Sequence, residues 1–107
     1  MSETVHREFQ IKVLSDGRVI SVFTAPPVNE GRLTEVLTVA AGKIPGSVIG
    51  EAKSFIDEKG TVGRRPGTFG TGGTLRFSEP LKGEALNSAM QAVMDALSAA
   101  GFEFVEI

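Results

Sequence analysis

The chain contains no cysteine, no tryptophan, no tyrosine and only one histidine among its 107 residues. The lack of cysteine excludes disulfides, thiolate metal ligands and cysteine nucleophiles, and it agrees with a reducing compartment, so a cytoplasmic location is expected. His6 is the one imidazole that could act as a general base or a metal ligand, and a lone histidine is more often a surface side chain. We therefore expect no catalytic residue, no metal site and no cofactor.

Long hydrophobic runs are also lacking. The first nine residues carry charges of both signs without the apolar stretch of a signal peptide, and no later run is long enough to cross a bilayer. We expect neither export nor membrane insertion. The apolar fraction of 41% and the charged fraction of 22% are ordinary for one folded domain spanning 1–107.

Acidic residues are absent from the stretch 59–74, KGTVGRRPGTFGTGGT, which holds six glycines and three basic side chains. Glycine loses more backbone freedom on ordering than any other residue, so this density predicts a long flexible Gly/Arg-rich loop at 59–74. With Arg76 included, this part of the chain carries four cations, whereas the remainder has seven basic residues against thirteen acidic ones. The loop is thus predicted to attract anions and the body to repel them.

The N-terminal third predicts a β-hairpin. Two β-rich runs, 5–14 and 18–24, flank Asp16-Gly17, a dipeptide that tolerates the positive φ angles of a two-residue type I′ turn. If Ser15 pairs with Arg18, then Val13 faces Ile20, and the same register places Ile11 opposite Val22 and Phe9 opposite Thr24. One apolar face of the ribbon follows from this register.

Three helices are predicted by apolar spacing. Asn29 caps the first, whose stripe consists of Leu33, Val36, Leu37, Ala40 and Ala41, and Gly42 is expected to close it in a left-handed conformation. A weaker pattern at 47–58 places Val48, Ala52, Phe55 and Ile56 inward, although Val48 and Ile49 could instead begin a strand. A second clear stripe at 84–100 ends before Gly101 and consists of Leu86, Ala89, Met90, Val93, Leu97 and Ala100.

Two further strands complete the prediction, one at 74–79 and one at 102–107. The helix between them implies a crossover, which makes the two strands parallel if they share a sheet. We therefore expect an α+β fold: a two-layer sandwich with a mixed sheet of about four strands and the helices on one face.

Function is predicted to lie in the basic loop, with Lys59, Arg64, Arg65, Phe69 and Arg76 as the binding residues. The leading hypothesis is a small non-enzymatic interaction or assembly subunit, whose mobile loop orders on a protein partner. The alternative is a nucleic-acid contact in which the basic side chains meet phosphates and Phe69 stacks on a base. A small enzyme is the third option, and it lacks an acid–base pair.

Self-association is a further expectation. A terminal strand at 102–107 would leave an edge that invites a second chain. The apolar residues Leu14, Val19 and Phe23 lie on the ribbon face that should be exposed, so they predict a homo-oligomer contact.

Overall fold

A computed structural model describes residues 8–60 and 66–104. The fold is α+β, with a mixed sheet and two helices. In chain order the elements are β1 (Glu8–Leu14), β2 (Val19–Ala25), α1 (Glu30–Ala41), β3 (Ser47–Ile49), β4 (Lys53–Asp57), β5 (Thr68–Phe77), α2 (Gly83–Ala99) and β6 (Glu103–Phe104). The sheet thus has six strands in place of the four or so that were predicted.

The β1–β2 hairpin has the predicted register. Val13 pairs with Ile20, and the same antiparallel ladder continues to Phe9 opposite Thr24. In the turn, Asp16 and Gly17 have φ angles of 55° and 95°, and the Arg18 amide donates to the Ser15 carbonyl at 3.2 Å. Alternation along a strand therefore separates the residues of this ribbon onto two faces.

The strand order is β3–β5–β2–β1–β6, and β4 pairs with β5 beside β3. Strand β5 is consequently central, flanked by β2 on one side and by β3 and β4 on the other. Strand β6 pairs with β1 in parallel, and β5 runs in the same direction as β6, as the predicted crossover requires. Residues 105–107 of the predicted terminal strand lie outside the described residues.

The predicted helix at 47–58 is wrong, because this segment forms β3 and β4. Val48 pairs with Arg76 and Lys53 with Gly72, so the pairing register shifts by one residue between the two strands, as it does at a β-bulge. The shift moves the alternation of faces by one position. Because of this shift, the apolar residues between Val48 and Ile56 are spaced as they would be on one side of a helix.

Capping interactions are present at the start of α1 and at the end of α2. The Asn29 side chain accepts hydrogen bonds from the first-turn amides of α1, at 2.9 and 3.3 Å. Gly42 does not adopt the predicted left-handed conformation, since its φ is −63°. Gly101 does, with φ of 94°, and the Phe102 amide then donates to the Leu97 carbonyl at 3.0 Å, which closes α2 in a Schellman motif.

One hydrophobic cluster contains residues of both helices and of one face of the sheet, which we call the helix-side face. Buried residues on this face are Phe9, Ile20, Val22, Leu75 and Phe77. They share one cluster with the predicted stripes, whose buried members are Leu33, Val36, Leu37, Ala40, Ala89, Val93 and Leu97. The other side of the sheet, with Gln10, Ser21, Phe23, Phe55 and Thr74, is called the reverse face.

Candidate interaction surface

The glycine-rich stretch is mainly a strand. Residues 68–74, the second half of the predicted loop, belong to β5 and pair with both β2 and β4. Of the predicted loop, Lys59–Gly60 and Pro66–Gly67 form the turn between β4 and β5, and residues 61–65 lie outside the described residues. The prediction of a flexible loop over 59–74 is therefore wrong for 68–74.

Close packing explains why glycines occupy this strand. A Cβ atom on Gly73 would lie 2.6 Å from Cδ1 of Leu37 in α1. On the reverse face, a Cβ on Gly70 would lie 2.6 Å from Cζ of Phe23, and one on Gly72 would lie 2.8 Å from Cε1 of Phe55. These glycines leave room for side chains from neighbouring elements, a second use of the residue beside its backbone freedom.

The same packing overturns part of the predicted self-association patch. Phe23 is fully buried, because it lies over Gly70 and against Phe55, with ring centroids 5.3 Å apart. Leu14 and Val19 are half-buried. The predicted exposed patch of Leu14, Val19 and Phe23 therefore does not exist as such.

Thr71 fixes the middle of β5 to the rest of the molecule. Its side chain is fully buried, accepts the Val28 amide and donates to the Val28 carbonyl, each at 3.0 Å. Ser54 of β4 also lies 3.0 Å from the Thr71 hydroxyl, and Thr24 donates to the Thr71 carbonyl at 3.0 Å. A residue that the sequence assigned to a flexible loop thus holds three neighbouring segments together.

Towards the turn, the β4–β5 hairpin exposes large apolar side chains. Ile56 and Phe69 are cross-strand partners, and they are 54% and 50% exposed. Directly opposed residues on one face have Cβ atoms about 5 Å apart, so the two side chains form one continuous apolar surface. We call this pair the hairpin tip.

Hydrogen bonds fix both the turn and the edge of this hairpin. The Asp57 carbonyl accepts the amides of Gly60 at 3.4 Å and Gly67 at 2.8 Å, which closes the base of the turn. The Ser54 amide donates to a Glu30 carboxylate oxygen of α1 at 3.1 Å. Because that amide belongs to an edge strand, the helix covers one of the donors through which an edge could recruit another strand.

The five predicted binding residues do not form one site. Lys59 is exposed in the turn, and Arg64 and Arg65 lie outside the described residues. Phe69 and Arg76 are seven residues apart on β5, about 23 Å along the strand, and odd spacing places them on opposite faces. Only Lys59 and Phe69 remain candidates for a shared surface among the residues that the structure describes.

Other kinds of site are less well supported. In residues 8–60 and 66–104, no group of three or more His, Asp or Glu side chains could hold a metal ion. A groove of about 330 Å³ lies between α1 and α2, with Val36, Val39 and Ala99 among its apolar residues and charges of both signs at its rim. Neither helix of the described chain has the length and apolar character of a membrane span.

Sequence reasoning missed Ile56 as a surface residue because it placed 47–58 in a helix. A signal for a strand was present, because the run Lys53-Ser54-Phe55-Ile56-Asp57 is followed by a turn-forming segment with a glycine at position 60. No family model, no curated protein and no solved structure matches the chain.

Proposed function

We propose that this protein is a non-enzymatic interaction subunit that binds a protein partner through the end of its β4–β5 hairpin. The observation that carries the proposal is the hairpin tip, where Ile56 and Phe69 stand side by side with about half of each side chain exposed. Contiguous exposed apolar surface is a feature of protein contact sites. In this proposal the two helices form one layer of a two-layer fold, and the protein is located in the cytoplasm.

The chemistry of the partner follows from the residues around the tip. Lys59 is exposed in the turn, and the sequence of the same turn holds Arg64 and Arg65. Glu58, next to Lys59 in sequence, is an exposed acid among the described residues of the turn. A complementary surface is apolar at its centre and acidic at its rim, and the body of a second copy, with its excess of acidic residues, belongs to this class.

Burial of the hairpin tip would contribute several kcal/mol to a contact. An aromatic or large aliphatic side chain has about 200 Å² of surface, so burying the exposed half of each residue removes about 200 Å² in total from water. At about 25 cal/mol per Å² this burial contributes about 5 kcal/mol before the costs of association. A substantial part of the binding energy thus resides in two residues, as it does at interaction hot spots.

The test uses a photo-reactive amino acid in the full chain, in place of Phe69 or, as the matched control, in place of Val48. Val48 is 65% exposed on β3, so it presents a similar apolar surface elsewhere on the sheet. Cross-linking in cells of the native host should give discrete products from position 69 only. The Ile56→Thr exchange should weaken those products at least about tenfold, and Val48→Thr should leave them unchanged.

The same variants separate self-association from a different partner. Sedimentation equilibrium of the purified protein should show dimers that Ile56→Thr dissociates if the partner is a second copy. A purified monomer with intact cross-linking would instead indicate another protein. Identical products from positions 69 and 48, or none from either, would contradict the assignment of function to the hairpin tip.

A further inference from the structure

The reverse face of the sheet carries a polar cluster that the hairpin tip does not use. Ser21 of β2 and Thr74 of β5 are cross-strand partners on this face. Lys12 of β1 pairs with Ser21, and Arg76 follows Thr74 two residues later. Lys53 of β4 pairs with Gly72, which precedes Thr74 by two residues. Two hydroxyl groups are therefore flanked by basic residues from three different strands.

The described part of the chain leaves the two hydroxyl groups without hydrogen bonds. Ser21 is 6% exposed and lines a groove of about 200 Å³, yet its hydroxyl has no partner among residues 8–60 and 66–104. The Thr74 hydroxyl also has none there, and it occupies the space that a Cβ on Gly50 would fill. Both hydroxyls line the groove, so they are available to form hydrogen bonds with a ligand that lies there.

The shape of the groove limits what such a ligand can be. Gly72 forms part of its floor, so bare backbone lies there beside the ring of Phe55. The ring of Phe55 covers Gly72 and is 38% exposed, so a planar group can contact the exposed side of this ring, as bases do on aromatic side chains of sheet surfaces. Gly72 and Thr74 are two residues apart on one strand, about 7 Å, which is close to the span of a sugar between a base and its phosphate.

We propose that the reverse face binds a nucleotide, with its phosphate at Ser21 and Thr74 and its base against the exposed side of the Phe55 ring. Lys53, which lines the groove, and Arg76 on the same face supply the positive charge, and the hydroxyls donate hydrogen bonds to the phosphate oxygens. The one carboxylate that lines the groove, Glu51, accepts hydrogen bonds from sugar hydroxyls or from an exocyclic amine. A bare anion lacks such donors and meets only repulsion from this carboxylate.

The same chemistry can come from a free nucleotide or from one residue of a single-stranded nucleic acid. The probes are adenosine 5′-monophosphate, a ten-residue deoxythymidine oligonucleotide, inorganic phosphate and inorganic polyphosphate, each titrated into ¹⁵N-labelled protein. We expect amide shifts at Ser21, Lys53, Phe55 and Thr74 with a base-containing probe, and weaker shifts with the two inorganic ones. Saturation by the monophosphate identifies a free nucleotide, whereas shifts with the oligonucleotide alone identify a single strand.

Substitutions test the assigned contacts. Thr74→Val keeps the β-branched shape and removes the hydroxyl, and it should weaken binding at least about tenfold. Lys53→Gln should weaken it as well and should lower the salt dependence of oligonucleotide binding by about one phosphate contact. The matched control is Lys82→Gln, an exposed lysine beside the β1–β2 turn, which should change affinity less than about twofold.

Three results would overturn the nucleotide site. These are no shifts with either base-containing probe, equal shifts with inorganic phosphate or polyphosphate, and shifts centred on Ile56 and Phe69. If the Thr74→Val variant does not give the dispersed spectrum of a folded protein, the affinity of the Lys53→Gln variant decides the test, because Lys53 is exposed. Because none of these residues belongs to the hairpin tip, failure here leaves the proposed protein contact untouched.

Discussion

Replacing Gly73 by alanine tests directly whether the glycine-rich segment is a packed strand. The added Cβ would lie 2.6 Å from Cδ1 of Leu37 and 3.5 Å from Cδ2 of Leu33, two fully buried side chains of α1. Inserting a methyl group into such a site costs about 1–3 kcal/mol. Loss of glycine's freedom in the unfolded chain returns about 0.4–1 kcal/mol. We expect Gly73→Ala to lower the free energy of unfolding by about 1–2 kcal/mol.

A matched substitution gives the opposite sign. At Gly42, φ is −63° and the nearest atom to an added Cβ is a carbonyl oxygen 3.5 Å away, so alanine meets ordinary contacts only. Gly42→Ala should therefore raise the free energy of unfolding by up to about 1 kcal/mol. Both variants are measured by urea unfolding followed by far-ultraviolet circular dichroism, since the chain has no tryptophan or tyrosine.

The refuting result is a Gly73→Ala protein as stable as the parent or more stable, because alanine in a flexible loop would show only the gain of the Gly42→Ala control. A double-mutant cycle identifies the contact. In a Leu37→Ala background the cost of Gly73→Ala should fall by at least about 0.5 kcal/mol, because the colliding methyl group is gone. An unchanged cost would mean that the Leu37 contact is not the cause.

Two other substitutions follow from named hydrogen bonds. Asn29→Ala removes the cap of α1 and should cost about 1 kcal/mol in urea unfolding, whereas Asn87→Ala, an exposed position inside α2, should be neutral or slightly stabilising. Thr71→Val leaves the amide of Val28 without its acceptor and should cost about 1–3 kcal/mol, whereas Thr74→Val removes a hydroxyl without a protein partner and should cost less than about 0.5 kcal/mol. Equal costs for either pair would contradict the assigned roles of these hydrogen bonds.

The candidate sites show where sequence patterns were insufficient. Phe69 was selected as a stacking group within a basic, glycine-rich stretch, and it is exposed on the hairpin tip. Its neighbour Ile56 was missed because the register shift between β3 and β4 imitated helical spacing. Arg76 was grouped with Phe69 because the two residues are close in sequence. In the strand they lie far apart along its length and on opposite faces of the sheet. The Ser21–Thr74 pair has no sequence signal, because the two residues meet only through the β2–β5 ladder.

Local patterns by themselves determined the β1–β2 register, the position of the Asn29 cap and the apolar stripes of α1 and α2. Each depends on residues a few positions apart, and the periodicity of a strand or a helix is enough to specify it. Only the tertiary structure decided the state of residues 68–74. Glycine has no side chain, so its sequence pattern cannot show whether the space is left for backbone motion or for Leu37, Phe23 and Phe55, which arrive from distant elements.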